Sequence, residues 1–184
     1  MKKYCGNCEA FHKVNEIKEA REYTIKGREI KAEITILTCY HCGEEIYDKD
    51  NEIKNDIIMF DEYKKINGLL TSKDIIDIRD KYHLSQSALS KLLGFGEKTI
   101  TRYENGAIQD RAHDNLLRVL FLDDAFSKLW LVNIGYLTQK ENDKITSAIC
   151  KSIATPMKYE IKSSALVYNT IEEGNGVFTY EGCK

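Results

Sequence analysis

Six cysteines, at positions 5, 8, 39, 42, 150 and 183, are the residues of this chain best equipped for chemistry. Four of them form two pairs with two-residue spacing, Cys5-Gly6-Asn7-Cys8 and Cys39-Tyr40-His41-Cys42, separated by 30 residues. Such spacing turns the chain so that both sulfurs of a pair point at one ion. Two facing pairs offer four thiolates at about 2.3 Å around a tetrahedral zinc, with no position left for water. One structural Zn²⁺ per chain, held by Cys5, Cys8, Cys39 and Cys42, is therefore expected. The competing chemistry is thiol–disulfide exchange at a single C-x-x-C, a motif that usually opens a helix after a buried strand. Cys5 lies so near the N-terminus that no strand is expected before it, which disfavours that reading. His12 and His41 are expected as exposed neighbours, because four cysteines already saturate the ion. Cys150 falls in the helical pattern Ile145, Ile149, Ile153 and reads as a small buried apolar residue; Cys183 reads as a free thiol.

A second group of residues suits contact with nucleic acid. At about 100° per residue on a helix, Lys98, Thr101 and Arg102 share one face, Ile100 and Tyr103 share the opposite one, and Thr99 lies at the border. Arginine and lysine on an outward face can donate to guanine O6 and N7, each good bidentate contact giving about 1–3 kcal/mol of discrimination. Gln86, at the start of the preceding helix, is placed to hold a phosphate. Candidate DNA contacts are thus Gln86, Lys98, Thr99, Thr101 and Arg102. Residues 81–118 carry six cations against four carboxylates, a local +2 in a chain of net charge −2. The bias is small but lies where the groove-facing residues are.

These groups need elements to hold them. Segments 22–26 and 29–37 are rich in Tyr, Ile and Thr and break at Gly27, and Ile30, Ala32, Ile34 and Ile36 alternate with Lys31, Glu33 and Thr35. A β-hairpin with one apolar face is expected between the cysteine pairs. So small a module lacks apolar bulk, and a structural zinc, contributing roughly 10–16 kcal/mol, supplies the missing stability. Over 50–66, Ile53, Ile57, Phe60, Tyr63 and Ile66 recur at helical steps, and Asn67-Gly68 closes that helix. A helix from Thr71-Ser72 carries Ile75, Ile78 and Tyr82 inward. Ser85 caps a second helix with Leu89, Leu92 and Leu93 buried and Gly94 at its end. A third helix spans 97–104, and a fourth begins near Asp110 with Leu116, Leu117, Leu120 and Phe121. Two short helices joined by a glycine-containing turn and flanked by packing helices describe a helix-turn-helix. Farther on, Thr138-x-x-Glu141 reads as a capping box, and segments 159–161, 165–168 and 177–180 look strand-like.

Composition narrows the class. With 184 residues, 42% hydrophobic and 30% charged, the chain is too apolar for wholesale disorder. No apolar run approaches the roughly 20 residues that cross a bilayer, and none follows Met1-Lys2-Lys3 as in a secretory signal. A cytoplasmic protein without membrane contact is expected. No nucleophile–base pair, glycine-rich phosphate loop or His-Glu-x-x-His helix is found, so the protein is not expected to be an enzyme. His83, in an inter-helix turn, and His113, within the fourth helix, read as packing or solvent-facing residues.

The paired C-x-x-C module followed by Ile100-Thr101-Arg102-Tyr103-Glu104-Asn105-Gly106 resembles the MqsA-type antitoxins. The stretch Cys39-Tyr40-His41-Cys42-Gly43-Glu44-Glu45-Ile46-Tyr47-Asp48-Lys49 is similar to the end of their zinc module, and 84–120 is similar to their Xre-like DNA-binding domain. The resemblance covers residues 1–122. It implies an antitoxin whose zinc module neutralises a ribonuclease-type toxin and whose helical domain dimerises and represses its own operon at a palindromic DNA operator. The family's base-contacting positions fall on Lys98 and Arg102; lysine replaces the usual asparagine at the first, so a different base is expected there. The fold class is α+β: a zinc-bound hairpin module (1–49), a linker helix (50–68), an all-α five-helix Xre-like helix-turn-helix domain (69–122) and a C-terminal extension of mixed α/β type (123–184). A stand-alone zinc-finger/helix-turn-helix repressor, with the extension serving dimerisation or sensing, would look the same through residue 122.

Overall fold

The alternation along 30–36 gives the N-terminal hairpin a continuous apolar face. In the computed structural model, which describes residues 1–154 apart from the side chains of residues 123 and 150–154, Ile30, Ala32, Ile34 and Ile36 are all at most 5% exposed. They lie on β3 (Arg28–Cys39), which pairs antiparallel with β2 (Ala10–Ile25), which in turn pairs antiparallel with β1 (Lys2–Cys5) in the order β1-β2-β3. Lys26 (φ 48°) and Gly27 (φ 76°) make the β2–β3 turn with two left-handed residues, a geometry whose twist matches the strands it joins. The hairpin is longer than the apolar pattern indicates. β2 starts at Ala10, and most of its residues are exposed, so its polar stretch carries no face to recognise. β1 is a correction: a strand does precede Cys5, held by pairing to 10–13 rather than by burial.

The helix α1 (Lys49–Ile66) covers the apolar face of β3, with Met59 packed against Ala32, Ile34 and Ile36. Asp48 caps it by accepting from the Asn51 amide, and ion-pairs with Lys3 of β1. The expected stripe holds in part. Tyr63 is buried and Ile57 and Phe60 are half-buried, but Ile53 and Ile66 are 44% and 55% exposed. Asn55 and Lys64 are buried instead, and hydrogen bonding accounts for both. β3 is an edge strand, so the outward amide and carbonyl of Thr35 need partners. The Asn55 side chain supplies both, accepting from Thr35 N at 3.0 Å and donating to Thr35 O at 2.8 Å. Lys64, fully buried, donates to Asp61 and to Ser72, each at 2.9 Å.

Asn67 and Gly68 (φ 61°) end α1 as expected. The remaining helices are α2 (Ser72–Lys81), α3 (Gln86–Leu92), α4 (Thr99–Glu104), α5 (Arg111–Val119), α6 (Asp123–Asn133) and α7 (Gln139–Ala154), with a 3₁₀ turn at Ile134–Tyr136. Local caps open most of them. Thr71 and Asp74 form a capping box, Ser85 accepts from Ala88 N, Asp110 accepts from His113 N, and Thr138 with Glu141 forms the second box. One apolar core joins these helices, from Leu70, Ile75, Ile78 and Tyr82 through Leu89, Ile100 and Leu117 to Phe126, Trp130, Ile145 and Ile149. It continues across position 122, and Tyr82 stacks on Phe126 of α6. α6 has no side-chain cap at Leu122, so no local start signal announced it. The fold is thus mixed α/β, with a three-stranded antiparallel sheet and seven helices among the described residues. The strand-like segments 159–161, 165–168 and 177–180, together with Cys183 and the side chain of Cys150, lie outside what is described.

Asn55→Ala leaves the Thr35 amide without its partner and halves the donors on its carbonyl. A loss of about 1–3 kcal/mol is expected in denaturant unfolding of the metal-loaded protein. Asn55→Asp, which retains the acceptor, should recover part of it.

Candidate metal centre and nucleic-acid interface

The sheet brings the two cysteine pairs together. Cys5 ends β1, Cys39 ends β3, and Cys8 and Cys42 follow in the turns after them. In each turn the residue directly after the second cysteine is left-handed: Glu9 at φ 50° and Gly43 at φ 77°. Gly43 meets this need without strain, while Glu9 adopts a conformation that costs L-residues roughly 1–2 kcal/mol. The Gly43 amide donates to Cys39 O at 2.8 Å and closes the second turn.

All four sulfurs lie within 4.8 Å of one another, with Cys5 Sγ and Cys42 Sγ 3.5 Å apart. Four sulfurs about 2.3 Å from a tetrahedral ion sit about 3.8 Å apart, so this donor set fits a structural metal site. Cys5 and Cys39 are buried with Leu37 and Ile46, Cys8 is half-buried and Cys42 is exposed. Hydrogen bonding separates their acidities. The Glu44 amide and then the Asn7 side chain donate to Cys42 and lower it to about 6. The neighbouring Cys42 sulfur, followed by desolvation, pushes Cys8 up to about 12. For Cys5 the Cys8 amide pulls downward, but burial and the adjoining thiols prevail and raise it. His41 Nδ1 approaches Cys8 Sγ at 3.7 Å and its ring stacks on His12 at 5.1 Å, so both histidines flank the cluster. A strand precedes Cys5, but the turn at 6–9 leads into β2 rather than into a helix, unlike the usual C-x-x-C redox motif. Asn7, which the spacing did not single out, is part of this site through its hydrogen bond to Cys42.

The two short helices expected to form a helix-turn-helix correspond to α3 and α4. Gly94 (φ 66°) ends α3, and α4 begins at Thr99, two residues later than expected, with Lys98 as its N-cap. Ile100 and Tyr103 are buried, Lys98 and Arg102 are exposed, and Thr99 and Thr101 are half-buried. Gln86 and Thr101 lie in a chain of hydrogen bonds. Thr101 Oγ1 donates to Gln86 Oε1 at 2.8 Å, and Gln86 Nε2 donates to Glu104 Oε2 at 2.6 Å. Glu104, 8% exposed, accepts from Arg79 Nε at 2.6 Å, and Arg79 Nη1 donates to Leu84 O at 3.0 Å. This network fixes α4 against α3 and α2. Gln86 keeps one amide hydrogen for an external acceptor. Arg79 and Glu104 are 25 residues apart, and no local pattern linked them. His113 bonds Tyr103 OH at 2.7 Å and stacks on Phe95, which makes it a packing residue. His83, left-handed at φ 53°, is exposed in its turn.

The cluster generates a proton-release expectation. At pH 7 Cys42 is already largely ionised, whereas Cys5 and Cys8 must each lose a proton to become ligands. Zinc titration of the apo protein should therefore release at least two protons per chain, counted by calorimetry in buffers of different ionisation enthalpy. Metal affinity should rise with pH, because Cys5 and Cys8 are still protonated at neutral pH, and should fall most steeply below about 6, where Cys42 is protonated too and acid strips the metal. Arg79→Ala, which strands a buried Glu104, should cost about 3 kcal/mol, while Thr101→Val should cost about 1 kcal/mol in equilibrium unfolding.

Among the described residues no helix is long and apolar enough to cross a membrane. Residues 1–129 match the family described as the antitoxin component of bacterial toxin-antitoxin system, MqsA. Over 123 residues, 63% of this chain and 90% of the relative, the sequence is 31% identical to the Antitoxin MqsA of Escherichia coli strain K12. Two cysteine turns closing on one four-sulfur cluster, ahead of a helical unit in a single chain, therefore stand in the setting of a known family, and the chain belongs to the MqsA antitoxins.

Proposed function

We propose that this protein is the antitoxin of a type II toxin-antitoxin pair, with a structural zinc held by Cys5, Cys8, Cys39 and Cys42, that binds operator DNA as a homodimer and represses its own operon. The observation that carries the DNA reading is the division of α4. Lys98 and Arg102 are exposed and without a carboxylate partner among the described residues, on a helix whose inner face is locked by Ile100, Tyr103 and Glu104. A reading helix needs that combination, because side chains aimed at base edges discriminate only when their backbone is held. Lys98, Thr99 and Arg102 contact bases, Gln86 uses its remaining amide hydrogen on a phosphate, and Thr101 orients Gln86 at the groove. Two copies would place their α4 helices about 34–36 Å apart on a palindrome.

In this reading residues 1–49 form the metal module, 50–68 the linking helix, and 69–122 the DNA-binding unit, which holds four helices, α2 to α5, rather than the expected five, with α6 (Asp123–Asn133) packed on its core from beyond that boundary. The metal module would take up a ribonuclease-type toxin. The family supports a partner toxin and a non-enzymatic role. Residues 130–184 lie beyond the matched segment, and this observation favours the second reading, a stand-alone repressor using that region for dimerisation or sensing.

Fluorescence anisotropy on duplexes from upstream of its own gene tests the DNA reading. Arg102→Ala should weaken specific binding by about 5- to 150-fold, corresponding to about 1–3 kcal/mol, with little change on unrelated duplex. Log affinity should fall with log salt by about 0.9 per phosphate contacted. Equal wild-type affinity for both duplexes would refute sequence-specific binding. Co-expression with adjacent genes separates the two readings: a stoichiometric small partner supports the antitoxin, and its absence the stand-alone repressor.

A further inference from the structure

A polar cleft of about 420 Å³ opens where the β2–β3 turn meets the end of α1 and the segment leading into α5. The volume is within the range of small-molecule sites. Lys26 and Arg28 enter it from the turn and Arg111 from the first residue of α5, and no carboxylate lines it. None of the three cations has a carboxylate partner among the described residues; Arg111 makes only a long 3.4 Å contact to Gly68 O. Neighbouring cations are paired: Lys64 with Asp61, Lys65 with Glu62, and Arg118 with Asp114. Three unpaired like charges, two from the hairpin turn and one from the start of α5, repel one another unless an anion joins them.

The cleft has a second, independent feature. Gln109, only 3% exposed, lines it and leaves its Oε1 with no hydrogen-bond partner, while its Nε2 is used on Leu70 O at 2.6 Å and Asp114 Oδ1 at 3.0 Å. These two donations fix the amide, so the orphan atom is an acceptor that needs an O–H or N–H. An acceptor beside three cations defines a ligand with two properties: anionic oxygens and a hydrogen-bond donor. Hydrogen phosphate has both, as does a small phosphorylated metabolite with a free hydroxyl or amine. Sulfate lacks the donor at neutral pH, and so does the phosphodiester of a DNA backbone.

We infer that this cleft binds free phosphate or a small phosphorylated metabolite, with Lys26, Arg28 and Arg111 on the anionic oxygens and Gln109 Oε1 accepting from the ligand. Because the cations come from the hairpin tip and from α5, the bound ligand ties the metal module to the helical unit.

Calorimetry on the full, zinc-loaded chain at fixed ionic strength tests this, with inorganic phosphate and sulfate as probes. Phosphate should bind saturably at one site, about tenfold or more tighter than sulfate, since an unmet buried acceptor costs about 1–3 kcal/mol. Arg28→Ala and Arg111→Ala should each weaken phosphate by about tenfold, the loss of one charge-assisted hydrogen bond, with thermal midpoints in phosphate-free buffer unchanged. Lys13→Ala, an exposed lysine away from the cleft, should bind like wild type. No saturable binding, equal affinity for sulfate, or wild-type affinity in the arginine variants would each overturn the inference. Repeating the titration with saturating operator duplex identifies the source of the anion. Unchanged phosphate affinity supports a free ligand, whereas full competition would assign the cleft to the DNA backbone and overturn it.

Discussion

A three-stranded sheet with one apolar face cannot stand alone in water, and most of this structure follows from how that face is covered. Ile30, Ala32, Ile34 and Ile36 need a partner surface, and α1 supplies it. Helix α1 then contacts the rest of the chain. Its Lys64 reaches Ser72 at the start of α2, and Ser72 in turn bonds Tyr103 O of α4. A Cβ on Gly106, which is left-handed at φ 98°, would sit 3.3 Å from Ile57 Cα, so α1 rests directly on the turn that ends the candidate reading helix. One helix therefore covers the sheet and braces the helical unit.

The cysteine cluster lies at the opposite end of the sheet. It draws on the ends of β1 and β3, the two strands that do not pair with each other, so an ion held there would join them where hydrogen bonding does not. The apolar cluster beneath it is small, comprising Cys5, Leu37, Cys39 and Ile46 with Cys8 and Val14 against it. Burial on that scale offsets only part of the ordering cost of two turns, one of which holds Glu9 left-handed. A tetrahedral ion bonded to all four sulfurs is a physical means of holding them. The spread of acidities from about 6 at Cys42 to about 12 at Cys8 shows how differently the four thiols are placed before a metal arrives.

The helical unit divides its polar residues between holding and contacting. Arg79, Glu104, Gln86 and Thr101 form a chain of bonds that sets α2, α3 and α4 at fixed angles, while Lys98 and Arg102 remain outside it. The same division recurs at the far side of the unit. Asp114, fully buried, accepts from Leu70 N, Gln109 and Arg118, leaving Arg111 unpaired at the cleft. Polar groups that could have served the surface are consumed in fixing geometry, and the few left over mark where another molecule can bind.

Sequence alone determined whatever depends on neighbours within a turn or two. The C-x-x-C spacing singled out the four cysteines that come together in one cluster, caps at Thr71, Ser85, Asp110 and Thr138 placed four helix starts, and alternation along 30–36 named the buried face of β3. Tertiary structure decided what depends on residues far apart. β1 and the polar half of β2 exist because strands pair, whether or not their side chains show a pattern. Asn55 and Lys64 replaced Ile53 and Ile66 on the buried side of α1 because an edge strand and the start of α2 offered hydrogen bonds that no local periodicity encodes. The second half of the core, Phe126, Trp130, Ile145 and Ile149, joined the first only through packing across position 122. The Arg79–Glu104 pair and the meeting of Lys26, Arg28 and Arg111 have the same origin: long-range electrostatics acts through space, and the chain order of those charges carries no trace of it.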